Sequence, residues 1–255
     1  MNLSKNIQRN IDNEGVLMKY EIIGDDMQTA VVDMNNGEFV QADAGSMFFM
    51  EGDIDMDLRM PGGWVGGLKR MFVGESFMLP VFKAKSDSCR IAFAPSYPAK
   101  ILELEVGEGK TWQAQKRSFL FSIGAVSINV SFVKKFKVGF FGGEGFVLEK
   151  FTGNGKVFLN CGGIAIHKEL AQDQKILVDT GCLVAFEEGV HYDIKMVRNL
   201  KTAIFGGEGL FLTELKGPGK IILQSLPFSR FANVITGGST SSGPLTDVGR
   251  IFGGD

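Results

Sequence analysis

One phrase of eight residues returns almost verbatim in this chain. Phe141-Gly142-Gly143-Glu144-Gly145-Phe146-Val147-Leu148 reappears as Phe205-Gly206-Gly207-Glu208-Gly209-Leu210-Phe211-Leu212, and a fainter copy stands at Phe72-Val73-Gly74-Glu75-Ser76-Phe77-Met78-Leu79. A lysine-bearing turn follows the two clear copies at equal distance, Thr152-Gly153-Asn154-Gly155-Lys156 and Lys216-Gly217-Pro218-Gly219-Lys220, and each leads into an apolar run. Self-similarity at a near-fixed period means one supersecondary unit used several times. Three such units in 255 residues are each smaller than a free-standing domain, so they must share a core.

The unit is a β unit. Glycine supplies 34 of 255 residues, about twice its usual ~7% share, and it gathers at turn positions between short runs, the punctuation of an all-β chain. Asn35-Asn36-Gly37 between Val31-Val32 and Phe39-Val40 predicts a hairpin, because Asn-Gly tolerates the positive φ of tight hairpin turns. The stretch from Tyr20 to Val32 is strand-like, and the residues before Gly15 read as a short arm or an edge strand. Lys100–Val106 alternates as a half-buried strand. In 190–196, Val190, Tyr192, Ile194 and Met196 share one face, with His191 on the other, exposed side. The predicted units are 1–98 with an N-terminal arm and a Gly/Trp insertion, 99–165, and 166–227, followed by a flexible Gly/Ser tail over 228–255.

Candidate sites are few. Glu75, Glu144 and Glu208 are expected at equivalent positions after their glycine turns, where a carboxylate would accept backbone or lysine hydrogen bonds. Asp43-Ala44-Gly45 and Asp179-Thr180-Gly181 read as turns in which the carboxylate takes backbone N–H bonds and the glycine is left-handed. The competing reading, a catalytic pair of aspartates, is weakened because the middle unit has Ser118–Gly124 in that place, with no aspartate. The insertion MPGGWVGGLKRM carries Trp64 beside Lys69 and Arg70. It misses the phosphate-loop spacing, since no Ser or Thr follows the lysine, and reads as an interface loop or a membrane contact. Lys134, Lys135 and Lys137, interleaved with Phe132 and Phe136, form a basic patch that could meet phosphates and bases. The simpler reading is a solvated strand face.

The sequence offers no HExxH, nucleophile elbow or dinucleotide fingerprint, and two isolated histidines make neither a metal site nor a triad. The expectation is no enzyme, no cofactor and no metal. A formal charge of −2 provides no basic field for nucleic acid. Cys89, Cys161 and Cys182 lack CxxC spacing and fit reduced, buried thiols in the cytoplasm. No apolar run is long enough to span a membrane, and the first residues lack a signal-peptide core.

PGGWVGGLKRMFVGESF, IAFAPSYP, FFGGEGFVLEKFTGNGKVFLNCGG, LVDTGCLVAFE and FGGEGLFLTELKGPGKIILQS, in that order over residues 18 to 227, resemble an uncharacterised family shared by many bacteria and by a yeast protein linked to altered inheritance of mitochondria. The resemblance implies three units per chain similar to the tryptophan RNA-binding attenuation protein (TRAP-like), β-sandwiches or short double-stranded β-helices, that assemble as homotrimers. It implies no activity or catalytic residue, and the mitochondrial member implies a scaffold role. The expected function is therefore a homo-oligomeric scaffold with an unidentified protein partner. The alternatives are peripheral lipid binding through the Trp64 loop or the Ile251-Phe252 tail, and an RNA- or small-ligand-binding ring by analogy of fold.

Overall fold

In the computed structural model, the described residues are 7–11, 17–59, 79–134, 146–196 and 211–235. They form antiparallel strands and one short helix. Strands β1 (Ile7–Ile11) and β2 (Leu17–Ile23) lead into a first set of six: β3 (Thr29–Met34), β4 (Phe39–Ala42), β5 (Met47–Glu51), β6 (Ile54–Arg59), β7 (Leu79–Ala84) and β8 (Cys89–Phe93). In this set the first, last and third strands pair as β3-β8-β5, and the second, fifth and fourth as β4-β7-β6.

The middle set has β9 (Lys100–Val106), β10 (Trp112–Gln115) and two long strands, β11 (Phe119–Lys134) and β12 (Phe146–Cys161), each spanning the place of two. The C-terminal half of β12 pairs with β9 and with the start of β11, while its N-terminal half pairs with β10 and the end of β11. The last set consists of β13 (Ala165–Leu170), β14 (Lys175–Asp179), β15 (Leu183–Glu187), β16 (His191–Met196), β17 (Phe211–Lys216) and β18 (Gly219–Gln224). Its strands pair as β13-β18-β15 and β14-β17-β16, the same order as in the first set.

The sets are joined by strand pairing. β11 pairs with β4, placing Phe121 opposite Ala42, and β15 pairs with β10, placing Ala185 opposite Ala114. Side chains cross with the strands. Leu120, Phe121 and Phe158 sit in the core of the first set, where Phe121 stacks on Phe93 at 4.6 Å and on Phe158 at 4.1 Å. Val184, Ala185 and Ile222 enter the middle core beside Trp112, Phe119 and Phe151. Phe146 and Leu148 enter the last core beside Phe186 and Leu215. Burying a side chain of this size is worth about 1.5–3 kcal/mol, so each set is held by residues of its neighbour, as in repeat proteins whose units cannot cover their apolar faces alone.

Several expectations are corrected. Asn35-Asn36-Gly37 does make a tight turn, with Gly37 at φ +90 and Glu38 N–H donating to Asn35 O at 3.0 Å, yet β3 and β4 do not pair with each other and belong to different sheets. The turn is a corner, because the partners of β3 are β2 and the distant β8. Tyr20 to Val32 is a hairpin of β2 and β3 broken at Gly24, φ +101. The residues around Ile7 to Ile11 are the edge strand of the two readings. Thr152–Lys156 is not a turn but a bend inside β12, whereas Gly217-Pro218 does lie between strands. β9 is covered more than half: Ile101 faces the first core while Leu104 and Val106 face the middle one. Val190, Tyr192 and Ile194 face the last core and His191 is exposed, as the alternation requires.

The predicted tail begins with helix α1 (Phe228–Ile235). Aromatic contact explains why these residues order: Phe228 meets Tyr97 edge-on at 5.5 Å and lies under Arg117, while Arg230 Nη2 donates to Asp179 Oδ2 at 2.8 Å. Residues 236–255 lie outside the described residues.

Candidate functional site

Glu75, Glu144, Glu208, Trp64, Lys69, Arg70, Lys135 and Lys137 lie outside the described residues. Lys134 closes β11, its Cα opposite Phe146 of β12. At the Asp-x-Gly turns, Asp179 Oδ1 accepts from Gly181 N–H at 3.0 Å, and Gly45 is the left-handed glycine, at φ +87. The two turns lie in different sets, and Asp179 is also engaged by Arg230, so its carboxylate serves to fasten α1.

The most buried charged cluster among the described ion pairs joins the first set to the second. β2 brings Tyr20, β9 brings Glu103 and β12 brings Lys156. Tyr20 Oη donates to Glu103 Oε2 at 2.5 Å, Lys156 Nζ donates to Tyr20 Oη at 2.8 Å, and Lys156 also pairs with Glu103 Oε1. The lysine ammonium lies 5.1 Å from the centre of the Tyr20 ring, a further attraction between cation and π face. Tyr20 is buried and the Lys156 and Glu103 side chains are 12% and 19% exposed. Burial, and then the hydrogen bond to Glu103, pushes the phenol far above its ordinary range. A tyrosine so held keeps its proton at neutral pH, and its bonds with Glu103 and Lys156 clamp three strands together.

Beside it, at the bend of β12, is a cleft of about 260 Å³ lined by Glu105, Glu108, Lys110, Asn154 and Lys156. Glu105 accepts from Lys110 Nζ at 2.6 Å, which holds its carboxyl below the ordinary range. Two of the wall charges, Glu105 and Lys110, are thus paired with each other, and Lys156 is held by Glu103. Among the described residues no three of His, Cys, Asp and Glu gather as metal ligands would. His167 is exposed on β13, and His191 is exposed on β16.

The thiols are placed for packing. Cys89 and Cys161 are buried and Cys182 is half-buried, and burial pushes the Cys161 thiol up to about 11. In the native protein at pH 8, Cys182 is expected to be the first of the three to react with a thiol reagent, with Cys89 and Cys161 reacting only on unfolding. Mass spectrometry of partly labelled protein reads this directly, and early labelling at Cys161 would contradict the burial argument.

The feature that sequence reading missed is the distribution of exposed apolar side chains, which concentrate on edge strands. Met47, Phe48 and Met50 lie on β5, Met56 and Leu58 on β6, Ile166 on β13 and Leu177 on β14. A signal was present: Met47-Phe48-Phe49-Met50 stands where the other sets have Phe119-Leu120-Phe121 and Leu183-Val184-Ala185, but only the pairing shows that its outer side is uncovered.

Comparison with known proteins places this architecture. A model of the family described as mitochondrial biogenesis AIM24 matches residues 20–226. An uncharacterised protein of Streptococcus pyogenes serotype M6 is 28% identical over 214 residues, covering 80% of this chain and 84% of that protein. A crystal structure of another Streptococcus pyogenes protein superimposes with a TM-score of 0.69 at 24% identity, covering 86% of this chain and 98% of that one, a likeness of fold. The chain belongs to the AIM24 family.

Proposed function

We propose that this protein is a non-enzymatic scaffold that works as a homo-oligomer and offers its remaining surface to a protein partner. One observation carries the reading: large apolar side chains stand exposed on strand edges, among them Phe48 at 64% and Leu177 at 57%. Natural sheets rarely leave such edges uncovered, because unpaired N–H and C=O groups beside apolar side chains template association. The charged groups that the fold brings together are spent on fastening strands to one another, as in the Tyr20, Glu103 and Lys156 clamp. The trimer expected from the family resemblance fits a contact that closes on itself, and a cytoplasmic scaffold of this kind needs no membrane span. No described helix is long and apolar enough to form one.

Light scattering on the purified full chain tests the reading. The expected particle is a multiple of 27.8 kDa at micromolar concentration, and a 27.8 kDa particle would sink it. Liposome co-sedimentation and retention on RNA at low salt are expected to be negative. Binding lost steeply with salt would favour the RNA alternative.

A further inference from the structure

The chain makes the same junction twice and leaves its two halves open at the ends. At each internal junction, the third strand of one set pairs with the second strand of the set before it: β11 with β4, and β15 with β10. Among the described residues, the equivalent strands without such a partner are β5, the third strand of the first set, and β14, the second strand of the last.

The equivalence holds in detail. Each of these third strands is irregular at the same place, with the register shifting between Met47 and Phe49, between Phe119 and Phe121, and between Leu183 and Ala185. The residue at the irregularity is Phe48, Leu120 or Val184. Leu120 is 1% exposed in the core of the first set and Val184 is 0% exposed in the core of the middle set, so each plugs the core of the preceding set across its junction. Phe48, in the same position, is 64% exposed.

The geometry points to a second copy of this chain as the missing partner, with β5 of one copy pairing antiparallel to β14 of the next and Phe48 plugging the neighbour's last core. This rests on the homo-oligomeric reading above and gives that assembly its contact. The register follows from the internal junctions. Phe121 and Ala185, each two residues past the strand start, face Ala42 and Ala114, each just before the corner residues Asp43 and Gln115. Carried to the open edges, Phe49 faces Val178 of the neighbour, one residue before Asp179, and Met50 faces Leu177. A contact of one surface with a different one repeats head to tail, and it closes as a ring when the rotation permits.

The test joins two cysteines placed at that register. Residues directly opposite in an antiparallel pair lie within disulfide reach, so the Met50→Cys, Leu177→Cys double variant is expected to give covalent species above 27.8 kDa on a non-reducing gel after mild oxidation. A mixture of the two single variants should stop at two chains, and the parent chain with its three native cysteines serves as the blank. Phe48→Asp, at a site already exposed within one chain, is expected to reduce the particle to a single chain with the thermal midpoint of the isolated chain intact.

Oligomers that form without a Met50–Leu177 bridge, or that survive Phe48→Asp, would overturn this junction and leave the assembly reading standing. A single-chain particle of the parent protein would overturn both. If that single chain sediments with phosphatidylcholine and phosphatidylglycerol vesicles and Phe48→Asp abolishes it, the edge belongs to a lipid surface instead.

Discussion

Gly153→Ala is expected to lower the stability of this protein by roughly 3 kcal/mol, a large part of the ~5–15 kcal/mol that holds a domain folded. Two causes add. Gly153 has φ +106, a conformation that residues with a Cβ rarely adopt, at a cost of about 1–2 kcal/mol. A Cβ there would also stand 2.1 Å from the carbonyl oxygen of Ala125 on the paired strand. Relieving such a clash means moving backbone, and overpacking of this kind costs about 1–3 kcal/mol.

The position matters because β11 and β12 run paired through the whole middle set, with β12 meeting β10 at one end and β9 at the other, and Gly124, Gly153 and Gly155 let the two backbones approach where the partner changes. Gly124 lies opposite Gly155 in register, and a Cβ on Gly155 would meet Ile123 O at 2.3 Å. Gly37→Ala is the matched control: its φ is +90, but nothing lies within 4 Å of an added Cβ, so only the conformational cost of about 1–2 kcal/mol remains. Urea unfolding of both variants measures the difference. Equal midpoints would mean that the bend can open, and that the close approach does not set the shape of the middle set.

Those glycines also show where sequence reading stops. The repeated phrase and its spacing are enough to expect an all-β chain of related units, since periodic patterns and turn residues are local signals. Gly153-Asn154-Gly155 reads as a turn because its chemistry suits one, yet the same freedom of φ, used at Gly153, serves one continuous strand that changes partner from β10 to β9. Asn35-Asn36-Gly37 misleads in a similar way. The turn is real, but β3 pairs with β2 and with β8 instead of β4; the pairing with β8 joins Met34 to Cys89, and no local pattern names a partner that far along the chain.

The clamp is less legible still. Tyr20 and Glu103 are 83 residues apart and Glu103 and Lys156 are 53 apart, so none of the three stands near another in a motif. Phe48 is visible as one apolar residue among four. Its significance depends on Leu120 and Val184 being buried where it is not, a comparison that only the three-dimensional pairing permits.

Lys156→Met is expected to cost about 2–3 kcal/mol, somewhat below the ~3–5 kcal/mol of breaking a fully buried pair, because Lys156 and Glu103 keep 12% and 19% of their side-chain surface in water. The methionine retains the apolar stem, so the loss measures the Glu103 carboxylate and the Tyr20 hydroxyl left without their cation. Adding Glu103→Gln is expected to recover part of the loss. A coupling near zero in that double-mutant cycle would mean that the pair contributes nothing beyond its separate parts.

Tyr20 adds a dependence on pH with a definite sign. Its phenol keeps its proton in the folded protein to a higher pH than in the unfolded chain, so its contribution is fully present below the unfolded value near 10 and is lost as pH rises above it. There the unfolded state binds fewer protons than the native one, and stability falls by up to about 1.4 kcal/mol per pH unit from this group alone. Tyr20→Phe removes the titrating group and is expected to flatten that alkaline fall while lowering stability at pH 7 by about 1–2 kcal/mol for the lost hydrogen bonds. Urea midpoints followed from pH 8 to pH 11 decide between the two roles. An alkaline slope unchanged in Tyr20→Phe would show that the first set and the second are not held together through this phenol.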